Sequence, residues 1–166
     1  ELNGGWRLIT EQLNHERVGL AALAFGAMGC FDQTVGWARA TKVPEGGRVI
    51  DRPWVQLALA EAYAVLQANA MLSNRVAWGV SQGAVRPELA SACKVFGTES
   101  YIKVLQLLLD VVGSAGVVKR GSPGAVLQAR LEGEWRMCQI NTFGGGAVEV
   151  LRDMVAQVGL GLPRRR

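Results

Sequence analysis

The sequence predicts an all-α fold, an up-down antiparallel bundle of long helices with a short C-terminal helical addition. Three observations predict it. Apolar residues recur at 3.6-residue spacing over three long stretches, and a break containing Pro or Gly separates each stretch from the next. Every cluster of β-branched residues lies inside a helical pattern, so no alternating run has turn signals at both ends.

Asn3 caps a first helix that begins near Gly5 and runs to about Arg39, a span on the order of 50 Å. Plotted at the helical advance of about 100° per residue, Ile9, Leu13, Leu20, Leu23, Ala27 and Phe31 form its apolar stripe. Glu16 falls inside that stripe, and Arg17 lies at its edge beside Ala24 and Met28. A carboxylate there is costly unless paired, hydrogen-bonded or neutral, which leaves a structural ion pair or a functional acid or base.

Lys42 to Asp51, with Pro44, Gly46 and Gly47, breaks the pattern. A second helix takes Asp51 as N-cap and Pro53 in its first turn, where a missing N–H does no harm, and runs through Leu57, Ala60, Ala64, Leu66 and Met71 to about Gln82. Gly83 ends it. The third starts at Pro87 and carries Leu89, Cys93, Phe96, Ile102, Leu105, Leu108, Leu109 and Val112 until Gly113 stops it. Ser114 to Gly124 is a loop, Ala125 to Ile140 a shorter amphipathic helix ending before a triple glycine, and a last helix runs from Gly146 or Ala147 to about Val158.

With 166 residues, 49% of them hydrophobic, the chain suffices for one domain or a piece of a larger one, and its opening on Glu1 suggests a piece. Charged residues are 19%, below the usual quarter, while glycines number 21, so some surface is expected to be buried against something outside this chain. Arg164, Arg165 and Arg166 supply three of the +4 formal charges, and no basic stripe interleaved with aromatics accompanies them. Nucleic acid is not an expected partner, whereas an anionic small ligand suits the balance. Cys30, Cys93 and Cys138 lack the spacing of a zinc site or a disulfide framework, so no metal is expected and a cytoplasmic setting is. The longest apolar run, Val18 to Phe31, is shorter than the roughly 20 residues a membrane span needs. No signal peptide opens the chain. Trp54, Trp78 and Trp135 read as core or interface aromatics.

Three stretches together resemble the C-terminal helical domain of the acyl-CoA dehydrogenase family. Gly5-Trp6-Arg7 followed by Leu13-Asn14-His15-Glu16-Arg17 is similar to the opening of that domain's first long helix. Ala92-Cys93-Lys94-Val95-Phe96-Gly97-Thr98-Glu99, leading to Gly113-Ser114-Ala115-Gly116, is similar to the helix that ends in the family's Gly-Gly-x-Gly turn. Phe143-Gly144-Gly145-Gly146-Ala147-Val148-Glu149-Val150-Leu151-Arg152, then Gly159-Leu160-Gly161-Leu162-Pro163-Arg164, resembles the closing signature of bacterial members. Their order and spacing cover nearly the whole chain.

The resemblance implies an FAD-dependent α,β-desaturation of an acyl-CoA thioester, in which a carboxylate removes the α-proton while a hydride passes from the β-carbon to the flavin. It also implies an N-terminal helical domain and a middle β domain outside residues 1–166, a homo- or hetero-oligomer built through the bundle, and an electron-transfer flavoprotein or similar acceptor as partner. Many relatives place the base immediately before the Gly-Thr of the closing signature, which aligned on Glu149 and Arg152 is Gly145 here. Others place it on the first long helix before an Arg, a position that Glu16 fills. Arg17 would then orient the site or meet the substrate's polar atoms.

Gly113, Ser114 and Gly116 read in isolation as a helix C-cap, and the resemblance makes them contacts to the FAD of a neighbouring subunit. Likewise Gly144, Gly145 and Gly146 are an interhelical turn or a close backbone approach to flavin, with Gly146, Ala147 and Glu149 as cofactor contacts. Two departures stand out. Asp110 occupies the place of the Gln that usually opens the glycine turn, and Lys42-Val43-Pro44-Glu45-Gly46 replaces the usual Arg-x-x-Phe-Gly element with Glu45 at the aromatic position. The other reading is a non-catalytic subunit or bundle that serves assembly alone.

Overall fold

A computed structural model of the chain describes residues 4–22, 25–84 and 86–164, apart from the side chains of Arg7, Asn14, Arg17, Val18, Leu20, Ala21 and Ala22. The described residues form six α-helices: α1 Gly5–Ala22, α2 Phe25–Ala40, α3 Pro53–Ser81, α4 Pro87–Val112, α5 Arg130–Cys138 and α6 Val148–Met154. Among them no strand forms, and Lys42 and Arg48 make an isolated bridge. The all-α class is therefore as predicted. The sequence predicts one unbroken helix over α1 and α2, and the residues that join them, Leu23 and Ala24, lie outside the described set.

Two compact units divide the chain: Glu1–Ala24 with Asn69–Glu99 and Ile140–Arg166, and Phe25–Ala68 with Ser100–Gln139. Both contain part of α3 and part of α4. In the first, Ser73 Oγ lies 3.8 Å from Cys93 Sγ, and Val76 packs on Ala90 and Cys93. In the second, Lys103 Nζ meets Glu61 Oε1 at 2.5 Å. Rising numbers on α3 thus face falling numbers on α4 in the first unit, the antiparallel pairing that the short 82–86 connector dictates.

Local chemistry sets the helix ends. Asp51 is not the N-cap of α3: its Oδ2 accepts the Arg48 N–H at 2.8 Å and closes a preceding 3₁₀ turn, Val49–Asp51. Arg52, held extended by the following Pro53, takes the cap position, and its carbonyl accepts from Val55 and Gln56. At the other end Gly83, with φ +69°, lets Ala84 N–H reach the Gly79 carbonyl at 2.9 Å and Gly83 N–H the Val80 carbonyl at 3.0 Å. That double bond pattern is a Schellman stop. Gly113, with φ +71°, ends α4.

The apolar residues predicted to pack α3 are mostly on its open side. Leu57 and Met71 are each 72% exposed, with Ala60 and Ala64 also exposed. The buried side is Val55, Leu59, Ala62, Leu66, Asn69, Ser73 and Val76, alternating steps of four and three residues. A helix apolar on two sides has two neighbours to satisfy, and the described residues cover one of its sides. Trp54 and Trp78 are exposed too and belong to no core here.

Two further boundaries differ from prediction. Leu127, Gln128 and Ala129 have φ of 51°, 55° and 55°, so the helix expected from Ala125 begins at Arg130 and passes at Gln139 into a 3₁₀ turn. The last helix is α6 followed by a π turn, Val155–Gly159. On α2, Gly26 and Gly29 leave room for α4 and α5: a Cβ would stand 3.3 Å from Tyr101 Oη at Gly26 and 3.2 Å from Arg130 Nη2 at Gly29. Residues Pro87–Val117 are long and apolar enough to cross a membrane, a length that sequence reading missed; half of the qualifying window is buried inside the protein, as in a core helix.

Candidate functional site

The glycine-rich segment between α5 and α6 is a folded loop. Gly144 N–H and Phe143 N–H both turn back to the Ile140 carbonyl, at 2.9 and 3.3 Å, and Gly146 N–H reaches the Phe143 carbonyl at 3.0 Å. Gly145 has φ +69° and Gly146 φ +114°, conformations that side chains other than glycine adopt only under strain. A Cβ at Gly146 would also stand 3.2 Å from Leu151 Cδ2.

Beneath this loop lies Lys94, which sequence reasoning assigned no role. It is 0% exposed. Its Nζ donates to the carbonyls of Asn141, at 2.6 Å, and Gly146, at 2.9 Å. Thr98 Oγ1 adds a longer bond to the same Asn141 oxygen, 3.4 Å. The signal that could have found Lys94 is the one that singled out Glu16, a charge on an apolar stripe. On α4 it shares a face with Ala90, Gly97 and Tyr101, all buried.

Next to the loop, α6 is seated on α4 through Val148 and Leu151 against Val95. Ser91 Oγ approaches Met154 Sδ at 3.1 Å, and Arg152 pairs with Glu99 at 2.6 Å. Ala147, at the N-cap position, and Glu149, exposed in the first turn of α6, follow directly from Gly146.

The second predicted glycine cluster belongs to the other unit. Gly113 and Ser114 are exposed and line a groove of about 420 Å³ with Gln106, Leu109, Asp110, Val117 and Trp135. Within it Gln106 Nε2 donates to Asp110 Oδ1 at 2.9 Å. The Trp135 indole N–H is buried and has no hydrogen-bond partner among the described residues. Gly116 is different. It is buried, and a Cβ there would stand 3.2 Å from Leu109 Cδ2 and from Val112 Cβ, so its smallness serves packing of the turn onto α4.

Glu16 lies on α1 and is exposed, as are Trp6, Leu8 and Ile9, while Leu13 is half-buried. The expectation of a carboxylate buried on a core-facing stripe does not hold within this chain: Glu16 is open to solvent, as is Ile9 on the same predicted stripe, whereas Ala27 farther along it is buried. Arg17 is helical, and its side chain lies outside the described residues. No three His, Cys, Asp or Glu side chains among the described residues cluster closely enough to hold a metal ion.

Buried protons complete the picture. Burial, aided by its 2.7 Å donation to Glu134 Oε2, holds the Tyr101 phenol above its ordinary range. Burial likewise raises the thiols of Cys30 and Cys93 and lifts Cys138 to about 11.

An all-helical chain with a glycine loop before its last helix and a second glycine turn after α4 is what the resemblance to an acyl-CoA dehydrogenase C-terminal domain implies, and the comparison with family models agrees. The model for the acyl-CoA dehydrogenase C-terminal domain matches residues 3–160, and the chain belongs to that family. It is 44% identical over 167 residues to acyl-CoA dehydrogenase FadE26 of Mycobacterium tuberculosis, an alignment covering 99% of this chain and 42% of that protein. Among solved structures it is similar to the ChsE4-ChsE5 complex from Mycobacterium tuberculosis, with TM-score 0.90, 45% identity, and coverage of 99% of this chain and 42% of that one. The Tcur3481-Tcur3483 steroid ACAD gives TM-score 0.90 and 45% identity, covering 99% of this chain and 41% of that one. The chain therefore spans about two-fifths of the length of these relatives, 42% for FadE26.

Proposed function

We propose that this chain is the C-terminal part of an FAD-dependent acyl-CoA dehydrogenase, oxidising an acyl-CoA to the trans-2-enoyl-CoA, with Glu16 as the base that takes the α-proton. The observation that carries this reading is the 44% identity with acyl-CoA dehydrogenase FadE26 along 99% of the chain. Within it, one of the family's two base positions is Gly145, whose left-handed backbone disfavours a glutamate, and the other is occupied by Glu16.

In this mechanism the Glu16 carboxylate accepts the proton from the α-carbon, the electrons of that C–H bond form the double bond, and the β-carbon loses hydride. FAD, when bound, supplies the hydride acceptor. A carboxylate exposed to water is a weak base, so Glu16 needs its charged form desolvated. Trp6, Leu8 and Ile9, earlier on α1, are open to be covered, and a middle domain together with the acyl chain would shut out water along that helix. Arg17 would orient the thioester end of the substrate.

The residues suit a flavin nucleotide. Gly113 and Ser114 offer close backbone approach to the FAD of a neighbouring subunit in a groove that Leu109, Val117 and Trp135 help to line, and, separately, Gly146, Ala147 and Glu149 would contact a flavin from the other glycine loop. Gly116 would support the turn from beneath. Asp110 suits hydroxyl or amino groups of the cofactor better than its phosphates.

Similarity to the Tcur3481-Tcur3483 steroid ACAD, and to ChsE4-ChsE5, which is a complex of two proteins, favours a steroid-bearing acyl-CoA as substrate and a hetero-oligomer as the working state. An electron-transfer flavoprotein or similar protein would reoxidise the flavin in the cytoplasm. Residues 1–166 alone are expected to be inactive, to hold no FAD tightly and to self-associate through the open face of α3. A second reading, an assembly subunit without catalysis, draws on the exposure of Glu16 in this chain. Turnover of the full-length protein, with any partner subunit, on steroid-bearing and straight-chain acyl-CoA with a dye acceptor separates the two. Flavin-dependent formation of the enoyl-CoA supports the first reading, and a folded, assembled protein with neither flavin nor turnover refutes it.

A further inference from the structure

We propose that Lys94 is the positioning residue of the glycine loop: its buried ammonium fixes the Gly146–Ala147 peptide in the orientation that receives the cofactor. The proposal rests on the functional reading above. Lys94 is fully buried, and a cation removed from water is stable only where acceptors surround it. The acceptors here are backbone carbonyls at the two ends of the loop, Asn141 at 2.6 Å and Gly146 at 2.9 Å. One ammonium therefore closes the loop across its neck.

The loop needs such a clamp. Gly144, Gly145 and Gly146 give its backbone the widest freedom that a chain can have, and the Phe143 side chain beside them is exposed. No peptide bond in the described chain is cis, so the Gly146 carbonyl that points at Lys94 sends the Ala147 N–H the opposite way. No hydrogen bond from that N–H forms among the described residues. A lysine placed one helical turn from Thr98 thus turns a flexible triplet into a surface with a defined donor direction. Positioning by a charged side chain acting on backbone dipoles is charge-assisted and directional, unlike apolar packing.

The test uses the full-length protein with any partner subunit. Lys94→Met keeps the length of the stem and removes the ammonium. Amide exchange at residues 142–147 is expected to accelerate at least tenfold while residues 100–112 of α4 are unchanged, and flavin affinity is expected to fall at least tenfold with the oligomer intact. Lys94→Arg, which restores a cation, should recover part of the affinity. Exchange and affinity both within twofold of wild type would overturn the proposal, as would a loosened loop with flavin affinity unchanged. Should Lys94→Met fail to fold, Lys94→Gln, whose neutral amide reaches one carbonyl, carries the same comparison with intermediate values expected. Failure of the functional reading is separate and visible first, as a wild-type protein that binds no flavin.

Discussion

Glu16 and Lys94 make the same pattern in sequence, a charge set among apolar residues at helical spacing, yet one is exposed and the other wholly buried. The difference lies in what covers each stripe. Around Lys94, α6 and the loop before it lie on α4, and two carbonyls turn inward to meet the cation. Glu16 has no such cover among the described residues, and Ile9, two turns away on the same predicted stripe, is exposed as well. A charged residue on an apolar stripe predicts burial when the covering element is in the same chain. When that element belongs to another domain, the same pattern predicts an interface.

Removing each charge sharpens the contrast. Lys94→Ala should cost about 3 kcal/mol or more in denaturant unfolding, since it leaves a cavity and takes the ammonium from the Asn141 and Gly146 carbonyls. Glu16→Ala should stay within about 0.5 kcal/mol, as exposed helix positions do. Equal costs would break the comparison. The loop above Lys94 comes next: Gly146→Ala should destabilise by about 2 kcal/mol through backbone strain and contact with Leu151. Gly116→Ala should cost about 1 kcal/mol by overpacking alone, and Val112→Ala in the same chain should relieve part of that cost.

The two faces of α3 extend the contrast to assembly. Leu57→Ser with Met71→Ser should barely change the melting temperature of the chain but should shift its size in light scattering toward smaller species, because both residues are on the open face. Leu66→Ser, on the buried face, should do the reverse and unfold it.

Alkaline pH gives the mildest probe. Cys138, lifted to about 11 from the ordinary 9.0, and Tyr101, Cys30 and Cys93, raised by burial, keep their protons longer folded than unfolded. Above about pH 9 the folded chain thus binds more protons than the unfolded one, so stability is intact below that pH and declines as pH rises through the thiol range. A denaturant midpoint unchanged between pH 8 and 10.5 would contradict this.

Local chemistry was readable in the sequence where it is decided locally. Pro53, Gly83, Pro87 and Gly113 mark the ends of α3 and α4 because a missing N–H or a left-handed φ acts within a few residues. The working face of α3 was not readable, since Leu57, Ala60 and Met71 are as apolar as Val55, Leu59 and Leu66, and contacts outside the helix decide which side is covered. The start of α5 was missed because Leu127, Gln128 and Ala129, good helix formers by type, take left-handed φ in the fold. Of the candidate site, the two glycine clusters were visible as motifs, while Lys94 emerges only once the loop is folded over it.

The proposed base can be tested in one turnover. In the full-length holoenzyme, Glu16→Gln should bind acyl-CoA and retain its flavin while anaerobic flavin bleaching slows at least a thousandfold, about 4 kcal/mol of barrier. Bleaching at the wild-type rate would contradict the assignment of Glu16 as the α-proton acceptor.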